Sequence, residues 1–118
     1  MDRTEQDPAV RALTELMAVL DTCMTELGGA RARAEKLLEE RQTGRTWLDI
    51  VTAESRPLVV EQLSSVMAAL ASAGGAWRRE QAYALASEQV SINRIAAMFG
   101  VTRQRISALL RERARTAQ

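Results

Sequence analysis

From Val10 onward, apolar residues recur at alternating spacings of three and four: Val10, Leu13, Met17, Leu20, Met24 and Leu27. That spacing repeats about every 3.5 residues and places the six on one stripe, the a and d positions of a heptad. The g positions Leu16, Cys23, Ala30 and Leu37 are apolar or small as well. The widened face predicts a helix that meets more than one neighbour, in a bundle or a dimer. Pro8 suits a first helical turn and Asp7 its N-cap, whereas residues 1–6 are polar and expected to fray.

Gly28-Gly29 interrupts the pattern, and two adjacent glycines cost about 2 kcal/mol of helix propensity relative to alanine. A break, kink or hairpin is expected there, with a second helix over 30–42 that Gly44 ends. Thr46-Trp47-Leu48-Asp49 reads as a capped start with an acid in the first turn, opening a short helix over 47–54. Another helix is expected from Pro57, capped by Ser55 or Arg56. Its inner face would hold Val59, Val60, Leu63, Val66, Met67 and Leu70, and Gly74-Gly75 would stop it. A further helix over 76–89 turns Trp77 and Leu85 inward. Met17, Met24, Met67 and Met98 are expected to fill the core, and Cys23 to be a small core residue. No strand pattern competes, so the fold class is all-α: a helical bundle with N-terminal dimerisation helices over 1–45 and a second helical region over 46–118.

Composition narrows the chemistry. The 118 residues contain no His and one Cys, which excludes a Ser-His-Asp triad, a Cys-His pair and an ordinary structural zinc site. No metal, cofactor or catalytic residue is expected, and the chain is read as no enzyme. No apolar run reaches the roughly 20 residues that cross a bilayer, and no signal-peptide run opens the chain, so a cytoplasmic location is expected. Net charge is +1, but the two parts differ. Residues 1–70 hold 8 Lys+Arg against 12 Asp+Glu, and residues 71–118 hold 8 Arg against 3 Glu. Within 91–118, Arg94, Arg103, Arg105, Arg111, Arg113 and Arg115 face the single acid Glu112. A basic end on an acidic body points to a polyanionic partner.

Residues 91–112, SINRIAAMFGVTRQRISALLRE, carry the specific signal. Ile95 and Phe99 share the inner face of a short helix, and Ala96 leaves room for a crossing helix. Gly100 suits a left-handed turn, Val101 plugs it, and Thr102 N-caps the second helix, whose Ile106, Leu109 and Leu110 pack back. At 100° per residue, burial of those three turns Gln104, Ala108, Arg111 and Arg115 outward, with Ser107 on the flank.

This arrangement resembles the helix-turn-helix of small bacterial transcriptional regulators. The string FGVTRQRIS is similar to region 4 of bacterial sigma factors and to the DNA-binding tails of Hin-type recombinases. The likeness covers about a third of the chain. It implies double-stranded DNA as partner, read in the major groove by helix 102–115. Arg103 and Gln104 then meet base edges, with Ser107 and Ala108 further along the groove. Thr102, Arg105, Arg111, Ser91, Asn93 and Arg94 are the corresponding phosphate contacts. Arg113 and Arg115 are expected to be solvated surface charges. A homodimer through the N-terminal helices would pair two such modules. The alternative is an adaptor or antitoxin-like module whose acidic N-terminal helices bind a partner protein, with DNA contact subsidiary.

Overall fold

The computed structural model describes residues 7–116, so the expected fraying of residues 1–6 lies outside it. Among the described residues the fold is all-α, with five helices: α1 Pro8–Gln42, α2 Trp47–Ala53, α3 Val59–Ser87, α4 Ile92–Phe99 and α5 Arg103–Thr116. None is long and apolar enough to cross a membrane.

Two expected breaks do not occur. α1 runs through Gly28-Gly29 and α3 runs through Gly74-Gly75. Each pair has helix-forming sequence on both sides. The local cost is therefore set against the hydrogen bonds and packing of a whole helix, and continuation wins. No heavy atom outside its own helix lies within 4 Å of a Cβ placed on Gly28 or Gly74, so neither glycine is demanded by a close neighbour.

At two helix starts the short-range signals act as expected. Asp7 Oδ1 accepts from the Ala9 amide at 2.8 Å at the start of α1. Thr46 has extended backbone and accepts the Asp49 amide at 3.1 Å, capping α2. The start of α3 differs. Glu61 accepts the Leu58 amide and Glu54 the Val59 amide, both at 2.9 Å, so two carboxylates cap the helix in place of Ser55 or Arg56. Glu61 also pairs with Arg56 at 3.0 Å.

The chain divides into two compact units, residues 18–71 and the remainder. In the first, α1 lies antiparallel to α3: Cys23 Sγ approaches the Val66 carbonyl at 3.9 Å, Gln62 donates to the Glu26 carbonyl at 3.2 Å, and Arg33 donates to the Ser55 carbonyl at 2.7 Å. The buried side chains here are Cys23, Ala30, Ile50 and Val66. α1 therefore packs within the protomer through its g positions. The expected a/d seam, Leu20, Met24 and Leu27, is exposed. The methionine reading also needs correction. Met17, Met24, Met67 and Met98 are all exposed; within this unit the close approach of α1 and α3 through small residues leaves no gap for Met24 and Met67.

The second unit has a contiguous core of Ala82, Ile95, Ala96, Ile106 and Leu109. Leu85, Ala86, Val90, Ile92, Phe99 and Leu110 pack around it. α3 enters it through Gln89, which has φ 68°. The left-handed residue lets the Val90 amide reach back to the Leu85 carbonyl at 3.0 Å and sends Val90 into the core.

Candidate nucleic-acid interface

The basic C-terminal segment folds as two short helices joined by a tight turn, each step of which has a local cause. Ser91 caps α4, its hydroxyl accepting the Arg94 amide at 3.2 Å. α4 ends at Gly100, in the left-handed region at φ 67°, and the Val101 amide returns to the Ala96 carbonyl at 3.0 Å. That closing bond satisfies a terminal carbonyl which the helix itself cannot. Thr102 then caps α5, its hydroxyl accepting the Arg105 amide at 3.1 Å. Three chain reversals and caps thus fall on the residues whose chemistry asks for them.

Packing fixes which side of α5 faces outward. Ile106 and Leu109 are buried against Ile95, Ala96 and Ala82, and the small side chains at 82 and 96 permit that approach. Val101 does not plug the turn; it is exposed, and the core closes without it through Val90, Ile92 and Phe99. With Ile106 and Leu109 inward, Arg103, Gln104, Arg105 and Arg111 are exposed, and Ser107 and Ala108 are half-buried on the flank. Arg103, Gln104, Ser107 and Arg111 together line one open depression. They are brought together by helical periodicity, one turn apart along α5. Asn93 and Arg94 are exposed in the first turn of α4.

The arginines divide into two groups. Among the described residues, Arg94, Arg103 and Arg111 form no ion pair. Arg105 lies 3.9 Å from Glu112, which also meets Arg79 at 3.9 Å. These long, partly exposed contacts contribute little and leave Arg105 able to turn outward.

Arg113 behaves differently from the solvated charge expected of it. Its Nε donates to both carboxylate oxygens of Glu80 at 3.3 Å, and its guanidinium lies 3.7 Å from the centre of the Tyr83 ring. Both members of the ion pair are about four-fifths covered, so Arg113 ties α5 to α3. Arg115 is exposed. Arg78 stacks over Phe99 at 4.3 Å and likewise braces α3 against α4. Helical periodicity carries no signal for these two contacts, since each joins a residue of α3 to a side chain on a different helix.

Among the described residues no cluster of three or more His, Cys, Asp or Glu side chains is placed to hold a metal. The exposed flank of α5 offers guanidinium and amide donors, next to two capped helix starts. No protein-family model matches the chain, and no curated protein or solved structure is similar to it.

Proposed function

We propose that this chain binds double-stranded DNA in a sequence-dependent manner and regulates transcription, with α5 as the helix that enters the major groove. One observation carries the reading. Arg103, Gln104, Ser107 and Arg111 share an exposed flank of a short capped helix whose opposite side is fixed to a core. An arginine grips O6 and N7 of guanine in a two-pronged contact, and a glutamine does the same to N6 and N7 of adenine. Arg103 and Gln104 stand in the first turn, the end of a recognition helix that goes deepest. Each contributes about 1–3 kcal/mol against a wrong base. Ser107 and Ala108 reach further along the groove, and Arg111 and Arg105 hold phosphates.

The starts of α4 and α5 support the same reading. Ser91, Asn93 and Arg94 at one, and Thr102 at the other, present amide and side-chain donors where a helix favours negative charge. Phosphate contacts of this kind set register and make the affinity fall with salt.

The test is a selection from random duplex DNA, run with the full chain and with the Arg103→Ala/Gln104→Ala variant at matched salt. The expected result is a recovered motif that the double variant loses while its residual, salt-sensitive binding persists. Recovery of the same motif by both proteins overturns the assignment of α5. No binding by either overturns the DNA reading and transfers the function to the N-terminal helices and a protein partner.

A further inference from the structure

We propose that a second copy of this chain docks on the face that α1 and α3 form within residues 18–71, so that two antiparallel helix pairs close into a four-helix arrangement. The inference is independent of the DNA reading.

The geometry follows from the contacts already described. α1 and α3 face each other at Cys23 and Val66 and run in opposite directions. Counting about 100° per residue, Leu20, Met24 and Leu27 lie roughly 40–100° around α1 from Cys23. Val60, Leu63 and Met67 lie roughly 60–120° around α3 from Val66, in the same rotational sense. For antiparallel helices an equal rotation in the same sense leads to the same side. The six side chains therefore form one face, and all six are exposed, Met24 at 70% and Met67 at 69%.

Three features commit that face to a copy of itself. First, the α1 residues on it belong to a heptad seam, the pattern by which one helix packs on another. The protomer buries the adjacent g positions Cys23 and Ala30 and leaves this seam free.

Second, the centre of the face is uncharged. From Gln62 to Trp77 α3 carries no charged residue on any side; on α1, Glu26 points away by the same angular count, Asp21 sits on the rim beside Met24, and Arg31 bounds the stripe one turn beyond Leu27. A two-fold interface brings each patch against itself, so an uncharged patch meets no self-repulsion and offers no counter-charge to a basic or acidic partner.

Third, the size fits. Six such side chains at these exposures present on the order of 600 Å² of apolar surface, close to the ~800 Å² per partner of a standard interface. That is at the upper end of the apolar patches that monomers expose, and patches of that size often mark interaction sites.

The experiment is sedimentation equilibrium of the full chain at micromolar concentration without DNA, so that its outcome is separate from that of the DNA selection. The expected mass is twice the single-chain 13.0 kDa. Met24→Glu with Met67→Glu is expected to raise the dissociation constant about a hundredfold or more, with the far-ultraviolet helix signal retained because both side chains are exposed in the protomer. Thr22→Glu, exposed on the other flank of α1, leaves the mass doubled. A single-chain mass for the unmodified protein overturns the proposal. So does a dimer that the Met24→Glu/Met67→Glu variant preserves, since its interface then lies elsewhere. If the glutamate pair loses its helix signal, Met24→Gln with Met67→Gln takes its place, and an unchanged dissociation constant in that variant also overturns it.

Discussion

The two units contain nearly equal numbers of described residues and use their apolar side chains in opposite ways. The unit that includes α4 and α5 buries its large aliphatics, Ile95, Ile106 and Leu109, around two alanines, and exposes arginine. The unit of residues 18–71 buries Cys23, Ala30, Ile50 and Val66 and turns both its methionines and five of its eight leucines outward. Of the sixteen exposed large hydrophobics, ten lie there. One unit closes its core with large aliphatics and exposes basic side chains, and the other leaves many of its large apolar side chains on the surface.

The largest effect that sharpens this contrast comes from truncating one side chain in each unit. Ile106→Ala removes a fully buried aliphatic, and a loss of about 2–5 kcal/mol is expected in urea unfolding, independent of protein concentration. Met67→Ala is expected to act only through association. Its unfolding midpoint then shifts with protein concentration, and at high dilution it matches that of the unmodified chain. A concentration-independent loss of several kcal/mol for Met67→Ala would break the comparison by making Met67 a core residue.

A smaller effect tests whether the C-terminal arginines are equivalent. Arg113→Ala removes a largely buried ion pair and the contact with Tyr83, and a loss of about 1–3 kcal/mol is expected. Arg115→Ala is expected to stay within about 0.5 kcal/mol of the unmodified chain, as exposed substitutions do. Equal losses for both would remove the distinction between a bracing and a solvated arginine. Smallest of all, Gly28→Ala is expected to raise stability by about 0.5–1 kcal/mol, since the position is helical and open. A decrease on thermal melting would mean that the added methyl meets a neighbour, which the second copy could supply.

How much of this was legible varies with the range of the cause. Thr46, Ser91, Gly100 and Thr102 act on amides and carbonyls within a few residues, and their roles could be read from residue type and spacing. The core of Ile95, Ala96, Ile106 and Leu109 followed from helical periodicity. The glycine pairs do not break their helices because a local propensity of about 1 kcal/mol per residue is outweighed by the packing and hydrogen bonds on either side. The Glu54 and Glu61 caps, the left-handed Gln89 and the Glu80–Arg113 pair were not legible. Each depends on where a chain reversal or a distant helix places a partner, and residue type alone does not carry that.

The sequence by itself determined an all-helical chain, a capped helix–turn–helix at its basic end and a heptad seam along α1, because each rests on period, spacing or a single local hydrogen bond. Only the tertiary structure decided which stripe of α1 is used within the protomer. A heptad offers two adjacent apolar stripes that are equally good in isolation. The small residues Cys23, Ala30 and Val66 let α1 and α3 approach closely, and that choice left Leu20, Met24 and Leu27 facing outward.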